Sequence, residues 1–134
     1  LAISLHSPYD HQRAQIMPVQ KAYPISSVIG KLRQYDFSGQ RRLSFEYILF
    51  EGFNDTQRHA AALLQLLRGV ECRVNLIRFH AIEDFPMRPS SEQLVNAFMA
   101  RLNKAGLVAT VRASRGEDIL AACGQLSVKK KNEA

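Results

Sequence analysis

The chain has 134 residues, 46% of them hydrophobic, which is enough for roughly one domain with a buried core. Its formal net charge of +6 suits a polyanionic partner such as RNA, although many basic proteins bind no nucleic acid. Two cysteines, Cys72 and Cys123, exclude a disulfide framework and a four-ligand zinc pattern, and no run is long and apolar enough for a membrane span.

Hydrophobic periodicity and turn residues predict alternating strands and helices. In chain order they are a strand at 2–5, helices at 12–16 and 28–35, a strand at 41–50, a helix ending at 67, a strand at 74–79, a helix at 90–105 and a strand at 107–112. This order predicts an α/β domain with a mainly parallel sheet. Cys72 stands where the third strand begins, and we interpret it as a core residue.

Short polar residues that can cap a helix precede each predicted helix. The candidates are Asp10, then Ser26 or Ser27, then Asp55 or Thr56, and finally Ser90 with Gln93 in a capping box. Gly69 and Gly106 are expected to end the last two helices. Asn54 and Asp55 are interpreted as turn and cap residues first, and as site residues second.

Ligands of parallel α/β folds bind beyond the carboxyl ends of the strands. That rule selects Ser4-Leu5-His6 after the first strand, residues 51–55 after the second and Phe79-His80 after the third. His6 and His80 could be bases, metal ligands, ligand contacts or plain polar strand ends. His11 and His59 have no partner at metal-binding spacing and are expected at the surface.

Near the carboxyl terminus, Cys123 is flanked by small residues and followed by Gly124. Small neighbours leave the sulfur accessible, and Arg112 and Arg115 nearby would favour the reactive thiolate. A lone cysteine is more often a buried apolar residue, so the residues alone leave both readings open. The two arginines could bind phosphate, or they could pair with the acidic residues at 117–118.

Several strings occur in the order of one known family. They are Ala2-Ile3-Ser4-Leu5-His6, Glu46-Tyr47, Asn54-Asp55, Asn75-Leu76-Ile77, Val111-Arg112, Arg115-Gly116-Glu117-Asp118-Ile119 and Ala121-Ala122-Cys123-Gly124-Gln125-Leu126. With them the chain resembles the C-terminal half of the RlmN family, radical S-adenosylmethionine (SAM) enzymes that methylate carbon 2 of adenine in RNA. The last string is the most specific.

The resemblance implies the second half of a (β/α)6 partial TIM barrel, as a single incomplete domain over residues 1–134. It implies that Ser4, Leu5 and His6 contact SAM after the fourth barrel strand. His80 stands where relatives usually carry an Asn that also contacts SAM, and a His can still donate or accept a hydrogen bond there.

The resemblance also implies that Cys123 is the catalytic methyl carrier. It would take a methyl group from one SAM, while a second SAM, cleaved at a 4Fe-4S cluster, would supply a radical that takes hydrogen from the methylated sulfur. The substrates implied are an adenine in large-subunit rRNA and one in the tRNA anticodon loop. An electron donor for the cluster is a further implied partner.

The cluster-binding C-x-x-x-C-x-x-C loop does not occur in these residues, and no metal ligand is assigned here. We therefore expect the cluster ligands, a second catalytic cysteine and the first barrel strands to lie upstream, and this chain alone to be inactive. No signal peptide is visible, so a cytoplasmic location without membrane association is expected. The full-length protein is expected to be a monomer.

Three alternatives remain open. A Cfr-type enzyme with similar motifs would modify carbon 8 of the same adenine. A non-catalytic basic RNA-binding module would use the surface charge and be indifferent to loss of Cys123. A degenerate, inactive paralogue is disfavoured by the intact string around Cys123.

Overall fold

A computed structural model describes residues 2–17, 22–34, 43–81, 83 and 85–113 of the chain. The strands there are β1 (Ala2–Ser4), β2 (Ser44–Leu49), β3 (Arg73–Arg78) and β4 (Val108–Ala113). The helices there are α1 (Asp10–Ile16), α2 (Ile25–Arg33), α3 (Gln57–Leu66) and α4 (Glu92–Lys104). The predicted α/β class is confirmed, because strands and helices alternate in the expected order.

The sheet has the strand order β1-β2-β3-β4, and each neighbouring pair is parallel. Sequential parallel strands with helical crossovers are the arrangement from which barrels of the TIM type are built. Because all four strands run in the same direction, their carboxyl ends lie along one edge. The segments predicted to form a ligand rim, after β1, β2 and β3, therefore do share an edge of the sheet.

Alternating residues send apolar side chains to both faces of the sheet. On one face the main core packs the sheet against α2, α3 and α4, and the rings of Tyr47 and Phe98 lie 5.5 Å apart within it. Cys72 packs against this core, as predicted. On the other face a smaller cluster includes Ile48 and Ile77. Both central strands are therefore buried on two sides near their carboxyl ends.

Of the four predicted helix caps, the cap of α3 is confirmed, and those of α1 and α2 are wrong. The Thr56 side chain caps α3 by accepting from the His59 N–H, as predicted. Asp10 is not a cap: it lies in the first turn of α1, and its carboxylate accepts from the backbone N–H and hydroxyl of Ser26. Ser26 is likewise not a cap, nor is Ser27, because α2 already begins at Ile25.

The cap of α4 is shifted by one residue from the predicted capping box. Ser91, not Ser90, accepts from the Leu94 N–H at 3.1 Å. Ser90 instead donates its hydroxyl to the Asp55 carboxylate at 2.7 Å. Two adjacent serines offer the same capping chemistry, and a tertiary contact decides which one is used.

Candidate functional site

The segment Ser4-Leu5-His6 leaves the sheet through a tight turn. The Leu5 N–H still donates to the Glu46 carbonyl at 2.9 Å, but the Ser7 N–H then bonds back to the Leu5 carbonyl at 2.8 Å. His6, at the centre of this turn, has a φ of +60°. A positive φ in a residue other than glycine costs free energy and is concentrated at functional sites. The fold therefore holds His6 in a conformation that its local sequence disfavours.

The imidazole of His6 is buried and neutral. Its Nδ1 accepts a hydrogen bond from the Ile48 N–H at 2.9 Å, so the proton of the neutral ring lies on Nε2. Burial, followed by the charge of Arg13, lowers the pKa of His6 from 6.5 to about 3. Within the described residues, Nε2 is buried without a hydrogen-bond partner. The ring thus presents a fixed N–H donor that a bound ligand could satisfy.

Arg13 of α1 holds the same segment from behind. Its guanidinium donates to the carbonyl of Ser4 at 2.9 Å, of Leu5 at 3.2 Å and of Tyr23 at 3.2 Å. The residue is 4% exposed, so these charge-assisted bonds lie in a protected environment. A planar group with several fixed donors can bridge successive carbonyls in this way, which an ammonium cannot.

Asn54, in the turn after β2, holds the segment from the other side. Its side-chain N–H2 donates to the carbonyls of His6 at 2.8 Å and Ile48 at 2.7 Å, and its Oδ1 accepts from the Phe50 N–H at 2.8 Å. The Tyr47 hydroxyl donates to the Asn54 carbonyl at 2.8 Å. Asn54 is fully buried. It therefore joins the carboxyl ends of β1 and β2, a role larger than the turn residue predicted from sequence.

Asp55 extends this connection to the segment before α4. Its Oδ1 accepts from the Gly52 N–H at 3.1 Å, and its Oδ2 accepts from the Ser90 hydroxyl at 2.7 Å. The Glu51 N–H also donates to the carbonyl of Arg88 at 2.8 Å. The loops that follow β2 and β3 are thus tied to each other at the edge of the sheet where the candidate site lies.

His59 is not the surface residue that we predicted. It is 8% exposed, and its ring bonds to the Thr56 hydroxyl at 2.7 Å and to the Gln12 side-chain oxygen at 2.9 Å. The Gln12 amide in turn donates to the Phe53 carbonyl at 2.8 Å. Burial lowers the pKa of His59. The partner Gln12 lies 47 residues away, and no local sequence signal marks this contact. His11 is exposed, as predicted.

The remaining candidates are placed as follows. His80 lies two positions beyond the end of β3, at the same sheet edge as His6, and is exposed. Arg112 approaches the Glu46 carboxylate at 3.7 Å, a partner that neither sequence alternative named. Cys123, Arg115 and the acidic residues at 117–118 lie outside the described residues, so their roles remain predictions.

Cys72 lacks the features of a reactive thiol. Burial raises its pKa from 9.0 to about 11, which disfavours the thiolate at neutral pH. In the described ranges, no group of three or more His, Cys, Asp or Glu side chains is arranged to hold a metal ion. Among the same residues, no helix has the length and apolar character needed to cross a bilayer.

Comparison with solved structures defines the class of the fold. A crystal structure of a radical SAM methyltransferase from Sphaerobacter thermophilus matches the chain with a TM-score of 0.80 and 44% sequence identity. The match covers 93% of this chain and 37% of the other. The α/β fold with its parallel sheet is therefore a radical SAM methyltransferase fold in part.

Curated relatives show which proteins of that class the chain resembles. Proteins named probable dual-specificity RNA methyltransferase RlmN are 57% identical in Parabacteroides distasonis and 54% identical in Porphyromonas gingivalis, each over 97% of this chain and 38% of the relative. The RlmN protein of Syntrophus aciditrophicus is 49% identical over 96% of the chain. A scan against protein-family models finds no match. The resemblance to the C-terminal part of RlmN proteins, which the sequence motifs indicate, is confirmed, and the chain spans somewhat more than a third of the length of these relatives.

Proposed function

We propose that the protein containing this chain is a radical SAM RNA methyltransferase acting on carbon 2 of adenine in large-subunit rRNA and tRNA. The observation that carries this proposal is the identity of 49% to 57% with proteins named RlmN over almost the whole chain. Residues 1–134 would form a single incomplete domain, the C-terminal half of the barrel with the segment that follows it. The protein would act in the cytoplasm as a monomer.

The edge of the sheet at β1 has the features expected of a SAM-binding site. The buried Nε2–H of His6 needs an acceptor, and Ser4 lies two residues before His6 in the same chain segment. We assign Ser4, Leu5, His6 and His80 to SAM binding. Arg13 and Asn54 act through the segment 4–6, because their hydrogen bonds fix its three backbone carbonyls and hence the direction of its backbone.

The described residues contain no ligand set for an iron–sulfur cluster. We place the ligands of the 4Fe-4S cluster in the rest of the protein, outside this chain. A bound cluster would supply the electron for reductive cleavage of SAM, and an external electron donor would replace that electron. The contribution of this chain is then to bind and orient SAM and to carry the methyl group.

Cys123 is proposed as the methyl carrier. Its thiolate attacks the methyl carbon of the SAM sulfonium, so that a C–S bond forms to Cys123 as the original C–S bond breaks and S-adenosylhomocysteine leaves. A radical from the reductive cleavage of a second SAM would then accept a hydrogen atom from the S-methyl group of Cys123 and leave a carbon radical on that group. Carbon 2 of adenine is electron-poor, so a carbon radical can add to it where an electrophilic methyl donor cannot. Cys72 is unsuited to this role because its thiol is partly buried with a raised pKa.

RNA binding is consistent with the formal charge of +6. Positive charge attracts the phosphate backbone without selecting a sequence. The reacting carbon lies on the edge of a base, so the adenine must be unstacked before the carrier can reach it. Loop adenines of rRNA and tRNA meet this requirement more easily than paired ones.

The proposal is tested by peptide mass spectrometry across Cys123 in the full-length protein, purified from cells grown with isotope-labelled methionine. We expect a labelled methyl group on Cys123 and none on Cys72. The Cys123→Ala variant should still bind RNA but form no methylated adenine, whereas Cys72→Ala should keep turnover. Nucleoside mass spectrometry should detect 2-methyladenosine. Finding 8-methyladenosine would indicate Cfr-type chemistry, and unmodified Cys123 in a SAM-supplied, cluster-loaded protein would refute the carrier role.

A further inference from the structure

One row of polar side chains crosses the face of the sheet opposite the main core. Ser4 pairs with Glu46, Glu46 with Asn75 and Asn75 with Thr110, so the four residues stand side by side on neighbouring strands. The residues before and after each of them in the chain pack in or against the main core. Because side chains alternate along a strand, the four polar side chains share the other face.

Hydrogen bonds along this row fix the orientation of Glu46. The Thr110 hydroxyl donates to Oδ1 of Asn75 at 3.1 Å, and the Asn75 amide donates to Oε1 of Glu46 at 3.4 Å. The second contact is long for a hydrogen bond. The carboxylate nevertheless decides which way the amide faces, since the reverse orientation would place two acceptor oxygens together.

The second oxygen of Glu46 retains unused acceptor capacity. Oε2 is buried and has no hydrogen-bond partner among the described residues. Arg112 approaches it only at 3.7 Å, with 46% of its side chain exposed, so the pair is weak. A carboxylate oxygen removed from water without a donor is costly. The site is therefore arranged for a hydrogen-bond donor that comes from outside these residues.

We propose that Glu46 is a further SAM-binding residue, whose Oε2 accepts a hydrogen bond from an N–H or O–H donor of SAM. The inference rests on the proposed function, because it takes SAM to be the ligand that contacts Ser4. Glu46 is the register partner of Ser4 on the adjacent strand. Neighbouring parallel strands lie only about 5 Å apart, so a ligand on Ser4 is within reach of Glu46. SAM offers two suitable donors, its ammonium group and its ribose hydroxyls, and its positive charge complements a carboxylate.

The test measures SAM affinity of the full-length, cluster-loaded protein by equilibrium dialysis. Glu46→Gln keeps the size of the side chain but removes its charge, and we expect SAM to bind about 10- to 100-fold more weakly. Glu71→Gln is the matched control, because Glu71 is exposed and precedes β3 at the opposite edge of the sheet. The Glu71→Gln protein should bind SAM as tightly as the unmodified protein does.

Thr110→Val provides an independent variant, since Thr110 is exposed. The change removes the hydroxyl that bonds to the Asn75 amide, and that amide in turn bonds to Glu46. We expect about a threefold to tenfold loss of SAM affinity. If Glu46→Gln loses the visible absorption of the cluster, the SAM affinity of Thr110→Val decides the test. Methylthioadenosine, which has the ribose but no ammonium group, separates the two donors: a Glu46→Gln penalty that persists assigns the ribose, and one that disappears assigns the ammonium.

The outcomes separate this inference from the proposed function. If the unmodified protein binds SAM and both Glu46→Gln and Thr110→Val bind it equally well, Glu46 belongs only to a structural ion pair with Arg112 and the inference is wrong. If the unmodified, cluster-loaded protein fails to bind SAM at all, the proposed function fails and the inference fails with it.

Discussion

Replacing Asn54 with Ala is expected to loosen the sheet edge that carries the candidate site. The change removes three buried hydrogen bonds, to His6, Ile48 and Phe50. At about 1 kcal/mol for each bond, the local opening free energy should fall by about 3 kcal/mol, and more if the freed groups stay dry. That decrease corresponds to roughly 100-fold faster amide exchange in the segment.

Hydrogen-exchange mass spectrometry of the full-length protein measures this effect in peptides that cover residues 44–55. The matched control is Asn103→Ala, because Asn103 is exposed and its side chain bonds to the backbone of Ala109, at 3.2 and 2.8 Å. Water replaces those contacts, so exchange near α4 should rise about tenfold or less. Equal changes in the two variants would refute the claim that Asn54 holds the edge.

Asn54→Asp separates the hydrogen bonds from the volume of the side chain. Aspartate fills the same space, but its carboxylate cannot donate to the carbonyls of His6 and Ile48. We expect exchange at least as fast as in Asn54→Ala, because a buried charge then faces two acceptors. Protection equal to that of the unmodified protein would mean that packing, and not hydrogen bonding, fixes the turn.

Three further predictions concern side chains that the fold has buried. Burial lowers the pKa of His6 from 6.5 to about 3, so below pH 6.5 the unfolded chain takes up a proton that the folded chain refuses. The free energy of unfolding should therefore decrease by about 1.4 kcal/mol per pH unit as the pH falls from 6.5 towards 3. Urea unfolding of His6→Gln should lack this decrease. If the unfolding free energies of the two proteins change in parallel with pH, His6 is not the group responsible. Arg13→Lys should destabilise by about 2 kcal/mol in the same assay, because one ammonium cannot bridge the Ser4, Leu5 and Tyr23 carbonyls. Arg101→Lys, exposed and bonded to Gln57, is its control and should change little. Cys72 should react with iodoacetamide about 100-fold more slowly than the same cysteine in an unfolded peptide, since its pKa rises from 9.0 to about 11. Alkylation at the peptide rate, measured by peptide mass spectrometry, would show that the thiol is not desolvated.

Local sequence patterns were sufficient for the order of strands and helices. Helical spacing and β-branched or aromatic runs reflect which face of an element is buried, and that information is contained within a few neighbouring residues. Thr56, one of the two adjacent residues predicted as the cap, is confirmed, and its bond reaches only to His59 in the next turn. The same reasoning failed between Ser90 and Ser91, where the choice depends on Asp55, 35 residues away.

The sequence by itself therefore determined the α/β alternation, the shared edge at the carboxyl ends of the strands and, through its motifs, the resemblance to RlmN proteins. Only the tertiary structure decided how that edge is held. The positive φ of His6 and its bond to Asn54, 48 residues later, depend on contacts between distant segments. Burial of His59 against Gln12 likewise has no local signature. The physical reason is that periodicity encodes which surfaces leave water, whereas a buried polar group is satisfied by whichever partner the fold brings within hydrogen-bonding distance.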